Sequence, residues 1–161
     1  MPVDIYVDIN ILWLMTYVEF SPEAARVVRD TCICFNLQRA ARLQARRYDE
    51  ALRPSGLTNG QFAAMMMLMR PVPPTIGTLA DDLSMDRTTL TALLKSLQRR
   101  GLVVSSAAAD DSRRRELTLT AEGRRILGIA WSLWRDVQAR TEGISGAPSP
   151  ATFATLLQPF V

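Results

Sequence analysis

The sequence predicts a mainly α-helical fold with one small β-hairpin, and three observations support this fold class. Apolar residues recur with helical periodicity through most of the chain. Residues 75–101 have the pattern of two short helices joined by a tight turn, and two short strand-like runs follow them directly. A length of 161 residues and a hydrophobic content of 48% are sufficient for a core. We therefore expect a globular protein organised around residues 75–101.

The two short helices have recognisable start and stop signals. Thr75 and Asp86 suit N-caps because their side-chain oxygens can accept a free backbone N–H, and Gly101 suits a terminator. The apolar stripes are Ile76, Leu79, Ala80 and Leu83 in the first helix, and Leu90, Leu93, Leu94 and Leu97 in the second. The other face of the second helix carries Arg87, Thr88, Thr91, Ala92, Lys95 and Arg99. Such a face suits the major groove of DNA; the alternative is a solvated face in a helical bundle.

A β-hairpin is predicted directly after this helical pair. Residues 102–104 are a short apolar run that contains two β-branched valines, and residues 115–119 alternate polar and apolar side chains. The polar loop between them, residues 105–114, ends in arginines. A helix-turn-helix followed by such a hairpin is a winged helix-turn-helix.

The arginine-rich tip of the hairpin predicts a second contact with DNA. Arg113 would enter the minor groove, while Arg114 and Arg115 would meet phosphates. Asp111 is close enough in sequence to orient the Arg113 guanidinium through a charge-assisted pair. In isolation, this run could also be a solvated charged turn.

Several motifs give the sequence a resemblance to a known family. In chain order they are Leu57-Thr58-x-x-Gln61-Phe62, Leu79-Ala80, Arg87-Thr88-Thr89-Leu90-Thr91, Asp111-x-Arg113 and Leu119-Thr120-x-x-Gly123. Over roughly residues 32–140, their order and spacing resemble the MarR family of bacterial winged-helix regulators. Two positions depart from the family pattern: Ser84 stands where a turn glycine is common, and Ala92 where a basic residue is common.

The resemblance implies a homodimer, joined through its N- and C-terminal helices, that binds a near-palindromic operator in double-stranded DNA. The expected DNA-binding residues are Thr75, Arg87, Thr88, Thr89, Thr91, Lys95, Asp111, Arg113, Arg114 and Arg115. The two reading heads would lie about one DNA turn apart, roughly 34 Å. We expect a transcriptional repressor that a small effector or oxidation releases from DNA. The alternative is a winged-helix module that binds another protein instead of DNA.

Composition argues against an enzyme. The chain has no histidine, which removes the commonest general base and the commonest metal ligand, and two cysteines alone cannot complete a zinc site. The sequence contains no nucleotide-binding glycine pattern. We therefore expect no catalytic residue, no metal and no cofactor. The net charge of +3 is compatible with a nucleic-acid partner.

The first twenty residues are unusually apolar, above all residues 9–18. This stretch is too short for a membrane span, and no basic segment precedes it as in a signal peptide. One interpretation is an additional dimerisation arm; the other is that translation begins at Met15. The residues that such an arm would bury are Ile11, Leu12, Leu14 and Tyr17. We expect a cytoplasmic protein with no membrane partner.

Cys32 and Cys34 are candidate redox residues. Cys34-Phe35-x-Leu37 resembles the sensing segment of the organic-hydroperoxide branch of the family, and a thiolate near a helix N-terminus is stabilised. If one helix contains both cysteines, their side chains point about 200° apart, which disfavours a disulfide between them. A disulfide between subunits is a further alternative, and a free cysteine can also be a small buried hydrophobe.

A candidate effector pocket is indicated by adaptable and aromatic side chains. Its predicted residues are Tyr48, Met65, Met66, Met69, Trp131 and Trp134. Methionine fits irregular cavities, but filling a core is its commoner use, and the same holds for the two tryptophans. A small ligand, for example an aromatic one, is the expected partner.

The helical pattern also divides the chain into four segments. Residues 1–31 are assigned to the N-terminal arm and dimerisation, and residues 32–70 to helices that link the dimer interface to the reading head. Residues 71–120 form the winged helix-turn-helix, and residues 121–161 the C-terminal dimerisation helices.

Overall fold

The computed structural model describes residues 21–108, 115–144 and 146–160. Contacts divide the chain into one unit that ends at Arg42 and a second that begins at Leu43. The predicted arm in residues 1–20 lies outside the described residues, as do Asp111, Arg113 and Arg114.

Helices dominate the described residues. They are α1 (Pro22–Thr31), α2 (Ile33–Leu52), α3 (Asn59–Met67), α4 (Ile76–Asp82), α5 (Arg87–Arg99), α6 (Ala121–Glu142) and α7 (Pro150–Leu157). Short 3-10 turns occupy Arg53–Ser55 and Gln158–Phe160. The strands β1 (Val103–Ala107) and β2 (Arg115–Leu119) form one antiparallel hairpin. The predicted fold class, mainly α with a small β-wing, is confirmed.

The first unit corrects one helix prediction. The sequence pattern places a single helix from Thr31 onward, but Cys32 has an extended backbone (φ −72°, ψ 111°), so α1 ends at Thr31 and α2 starts at Ile33. The β-branched residues on both sides of Cys32 lower the helix propensity locally. The Asn36 side-chain amide donates hydrogen bonds to the carbonyls of Arg29 and Cys32, each at 3.0 Å, and stabilises the break.

The core of the second unit consists mainly of leucines from several elements. Those no more than 2% exposed are Leu52, Leu57, Leu79, Leu90, Leu94, Leu97 and Leu117. The apolar stripe predicted for α5 is confirmed, with Leu93 only partly buried at its edge. Burial of this stripe fixes which face of α5 points outward, because the helix must place its leucines against the core.

The hairpin is longer than the sequence predicts. Residues 105–107, predicted as loop, belong to β1, where Ser105 pairs with Leu117 and Ala107 pairs with Arg115. Their sequence has low strand propensity, but pairing with β2 supplies the backbone partners that propensity alone does not. The N–H of Leu117 also donates to the carbonyl of Pro74 at 3.0 Å, which ties β2 to the segment before α4.

Side-chain caps are present at several helix starts. Thr58 and Gln61 form the capping box of α3, and Thr120 caps α6 through the N–H of Gly123 at 2.9 Å. Ser149 caps α7. The helical pattern of the sequence continues to Arg70, but α3 ends at Met67. Among the described residues, no helix combines the length and apolar character needed to cross a membrane.

Candidate nucleic-acid interface

The second helix of the predicted reading head, α5, starts at a well-formed cap. The Asp86 carboxylate accepts a hydrogen bond from the Thr89 N–H at 2.8 Å, as predicted. Hydrogen bonds from the Thr89 side chain, and then from its backbone, hold the pKa of Asp86 below its ordinary value. The cap therefore remains charged at neutral pH and fixes where the helix begins.

The outward face of α5 carries the predicted DNA-binding side chains. Arg87, Thr88, Thr89 and Lys95 are exposed, and Ala92 is exposed between them. Thr91 is half-buried, and its hydroxyl donates to the carbonyl of Arg87 at 2.6 Å. The proton of the Thr91 hydroxyl is therefore occupied, which leaves its oxygen as an acceptor.

Thr75 is the N-cap of α4. Its hydroxyl oxygen accepts a hydrogen bond from the Thr78 N–H at 3.2 Å and lies 3.0 Å from the Thr78 hydroxyl. The side chain is half-buried. The Arg87 guanidinium extends over this first turn, because a Cβ added to Gly77 would lie 3.4 Å from its Nη2 atom. The structure thus brings Thr75 and Arg87 to one edge of the helical pair.

The turn between α4 and α5 contains the residue that departs from the family pattern. Ser84 has a positive φ of 48°, in the region that favours glycine. The Met85 N–H donates to the carbonyl of Ala80 at 2.9 Å and closes the turn. Serine is thus held in a conformation that a glycine would adopt without a Cβ clash.

The far end of α5 is anchored to Gly56, which follows the 3-10 turn at Arg53–Ser55. Arg100 donates a hydrogen bond through Nη1 to the carbonyl of Gly56 at 2.9 Å, across a sequence distance of 44 residues. Gly101 follows with a φ of 66° and ends the helix as predicted. Both ends of α5 are therefore fixed, so its outward face has a defined orientation.

One predicted contact residue, Arg115, lies in the described part of the hairpin. The exposed Arg115 donates through Nη2 to the carbonyl of Ser105 at 2.7 Å, across the hairpin. This bond uses one N–H donor of the Arg115 guanidinium and holds the guanidinium against β1. The proposed contact of Arg115 with phosphate stays a prediction, as do the roles of Asp111, Arg113 and Arg114.

The cysteines flank the start of α2. Cys32 is half-buried and its Sγ accepts a hydrogen bond from the Phe35 N–H at 3.5 Å; Cys34 is exposed and its Sγ accepts one from the Gln38 amide at 3.4 Å. Because Cys32 lies outside the helix that contains Cys34, the argument from a shared helix against a Cys32–Cys34 disulfide does not apply.

The predicted effector residues do not share one cavity wall. Met65 is fully buried in the core, Met66 packs against it, and Met69 is 56% exposed. Trp131 and Trp134 stack with their ring centroids 5.0 Å apart. Tyr48 is the member that lines a cavity of about 540 Å³ between α2, α6 and α7.

Sequence reasoning missed the other polar residues of that cavity wall. Gln44, Gln138 and Glu142 lie there together with Tyr48. A usable signal was the spacing of Gln44, four residues before Tyr48, which puts both side chains on one face of α2. The described residues contain no group of three side chains suited to hold a metal ion.

Comparisons with known proteins place this arrangement among transcriptional regulators. A family model described as MarR family matches residues 55–114. An HTH-type transcriptional repressor of Mycobacterium tuberculosis is 30% identical over 108 residues, which are 67% of this chain and 78% of that protein. The organic hydroperoxide resistance transcriptional regulator of Bacillus subtilis is 28% identical over 91 residues, which are 56% of this chain. The match spans 62% of that protein's length, which is less than two thirds.

Solved structures show the same architecture. The crystal structure of the M. tuberculosis transcriptional regulator MosR in complex with DNA is 40% identical in sequence and has a TM-score of 0.70. The superposition covers 80% of this chain and 92% of that chain.

Proposed function

The chain belongs to the MarR family of winged-helix transcriptional regulators, and from this premise we propose that it is a repressor that binds operator DNA. The observation that carries the proposal is the outward face of α5, where exposed hydroxyls, Arg87 and Lys95 lie opposite a buried leucine stripe. The crystal structure of MosR in complex with DNA, a protein 40% identical in sequence, supports the same interpretation of this face as a DNA-binding surface. Since the target is chromosomal DNA, the cytoplasm is the proposed place of action.

Each proposed contact follows from the chemistry of its side chain. Thr88, Thr89 and the oxygen of Thr91 can meet base edges in the major groove, and Lys95 can neutralise a phosphate. Arg87, which lies at the first turn of α5 and beside Gly77 of α4, can make either contact. The hairpin tip, with Asp111, Arg113, Arg114 and Arg115, would contact the minor groove and adjacent phosphates.

A homodimer is part of the proposal. Two copies would bring two α5 helices to successive major grooves about 34 Å apart and so require a near-palindromic operator. The exposed apolar side chains of α1 and α7 offer surface for the partner, with Val27 and Val28 about half exposed and Phe153 49% exposed. Burial of these side chains would stabilise the dimer because exposed apolar area is removed from water.

Release by oxidation is the second part of the proposal. The exposed Cys34 at the start of α2 would attack a hydroperoxide, which becomes an alcohol while the thiolate becomes a sulfenic acid. The sulfenic acid would then condense with a second thiol, such as that of Cys32, to form a disulfide and release water. The name of the B. subtilis relative, an organic hydroperoxide resistance regulator, supports this chemistry.

The test is to select the duplexes that the protein binds from a pool of random sequences. The affinity for the most enriched duplex is then measured by gel shift. We expect a near-palindrome, a complex with two chains, and affinity that falls steeply with salt because counterions are released from DNA. No enrichment of any sequence, or an affinity insensitive to salt, would leave the protein-binding alternative as the better explanation.

A further inference from the structure

Ala92 lies on the side of α5 that points away from the core. At about 100° per residue, it is roughly 160° around the helix from Leu90 and from Leu94, and both leucines are buried. Ala92 itself is exposed, as are Thr88 one turn before it and Lys95 almost one turn after it. The outermost surface in the middle of α5 therefore consists of a single methyl group.

The size of Ala92 determines how closely α5 can approach the bases. A helix in the major groove reads base edges with the side chains that point to the floor of the groove. A long basic side chain at this position would occupy space between the helix and the bases. Alanine adds little more than the backbone, so its Cβ atom can reach van der Waals contact with a base.

The threonines beside Ala92 have few protons to offer to a base. The Thr91 hydroxyl donates to the carbonyl of Arg87 at 2.6 Å, and the Thr89 hydroxyl is bonded to the Asp86 carboxylate. Both oxygens remain available as acceptors. The major-groove edge of guanine presents two acceptors and is read by donors, so these two hydroxyls are poorly suited to it.

The longer donors of this face stand to either side of Ala92. Arg87 extends over α4, where a Cβ added to Gly77 would lie 3.4 Å from its Nη2 atom, and Lys95 is on the next turn of α5. Apolar contact is therefore the chemistry that the middle of the helix offers. Thymine alone among the four bases presents a methyl group in the major groove, and alanine is a suitable partner for that group.

We propose that Ala92 is a specificity-determining residue, whose methyl group contacts the C5-methyl group of a thymine in each half-site of the operator. This assignment rests on the proposed function and names the base that α5 reads. The contact removes apolar area of both methyl groups from water. The adenine paired with this thymine presents its N6 amino group as a donor, which the oxygen of Thr91 can accept. An A·T pair is thereby specified opposite the middle of α5.

The first test removes the thymine methyl groups one position at a time. In the most enriched duplex, each thymine is replaced by deoxyuridine at the equivalent positions of both half-sites, which keeps Watson–Crick pairing and deletes only the C5-methyl group. At one position we expect the affinity of the full chain to fall about tenfold, since each lost contact should weaken binding about threefold to fourfold. Parent-like affinity at every position, or an enriched half-site without thymine, would overturn the assignment.

A variant then identifies the residue that contacts the methyl group. Ala92→Gly should bind the thymine and deoxyuridine duplexes with equal affinity at that position, because the Cβ atom is missing. Any loss of helix stability affects both duplexes alike and cancels in their affinity ratio. Ala139→Gly, the same change at an exposed position of α6, is the matched control and should keep the tenfold ratio. A tenfold ratio that persists in Ala92→Gly would overturn the assignment, since another residue or the shape of the DNA would then sense the methyl group.

The parent protein separates failure of this assignment from failure of the proposed function. A chain that enriches no duplex and shifts no DNA would remove the proposed function, and the assignment would fall with it. A sequence-specific shift that is insensitive to deoxyuridine would leave the proposed function in place and overturn only the role of Ala92. Circular dichroism of Ala92→Gly verifies that the variant is folded.

Discussion

The carbonyl oxygen of Leu102 occupies the space in which a Cβ atom on Gly123 would have to lie. Such a Cβ would also lie only 3.0 Å from the carbonyl carbon of Leu102. The approach is this close because Thr120, which caps α6, donates its N–H to the same carbonyl at 3.1 Å and its hydroxyl to Gly101 at 2.7 Å. The Leu119-Thr120-x-x-Gly123 motif therefore joins the end of α5, the hairpin and α6 in one backbone contact.

Gly123→Ala should destabilise the protein, although alanine is the better helix former. We expect the free energy of unfolding to fall by about 1–3 kcal/mol, since the added methyl group must push against backbone. Gly128→Ala is the matched control on the same helix, because a Cβ there meets nothing within 4 Å. It should raise stability by about 0.5–1 kcal/mol, measured by urea denaturation. Equal effects at the two positions would contradict the close contact with Leu102.

Ser84→Gly should stabilise the turn between α4 and α5. A non-glycine residue with a φ of 48° destabilises the folded state by about 1–2 kcal/mol. Glycine removes this strain, but it also has more conformational freedom in the unfolded chain, which offsets part of the gain. We expect a net gain of up to about 1 kcal/mol in thermal or urea unfolding. Gly101→Ala is the converse test: its φ is 66° and its Cβ would meet no atom, so any loss comes from the backbone alone.

The Asp86 cap should make stability depend on pH in the acid range. Its pKa is lowered in the folded state, so its contribution is present above the unfolded value, about 3.9, and is lost as the pH falls through the lower folded value. Asp86→Asn retains a capping oxygen without the charge. The melting temperature of the parent should exceed that of the variant at neutral pH, and the difference should shrink below about pH 4. A difference that does not change with pH would exclude the charge as its source.

Arg113→Ala should weaken operator binding by about 1–3 kcal/mol and relax discrimination where the hairpin tip contacts DNA. The control is Arg125→Ala, which removes an arginine that pairs with Glu122 at 2.7 Å on α6. Fluorescence anisotropy at several salt concentrations measures both variants. Equal losses for the two would mean that net charge, and not the hairpin, determines affinity.

Cys34→Ser should prevent release of the operator by cumene hydroperoxide, because serine cannot form a sulfenic acid. Operator affinity of the reduced protein should not change. Cys32→Ser separates the two thiols: if Cys32 is the second thiol, the parent will form a disulfide and this variant will accumulate sulfenic acid. Unimpaired release in Cys34→Ser would eliminate this cysteine as the sensor.

Local chemistry made much of the fold predictable from the sequence. The caps at Thr75 and Asp86 depend on a side-chain oxygen within three residues of the N–H from which it accepts a hydrogen bond, and both are confirmed. The leucine stripe of α5 followed from periodicity alone, and with it the outward position of Lys95. Sequence analysis therefore located the features of the site that lie within a single helix, namely the cap and the outward face of α5.

Pairing across the chain was not predictable in this way. The residues 105–107 belong to β1 only because β2 supplies their hydrogen-bond partners, and Arg115 turns toward Ser105 for the same reason. The end of α1 at Thr31 likewise depends on the Asn36 amide, which bonds to two carbonyls on the other side of the break.

The sequence by itself determined the helix starts, the apolar faces, the winged helix-turn-helix and the side chains that it presents, because each depends on residues within a few positions of one another. Only the tertiary structure decided that Gly123 must be a glycine and that the Gln44 Oε1 atom is buried without a hydrogen-bond partner among the described residues. Both depend on atoms that packing brings close to a residue, such as the carbonyl oxygen of Leu102 beside Gly123, and not on the neighbours of that residue in sequence.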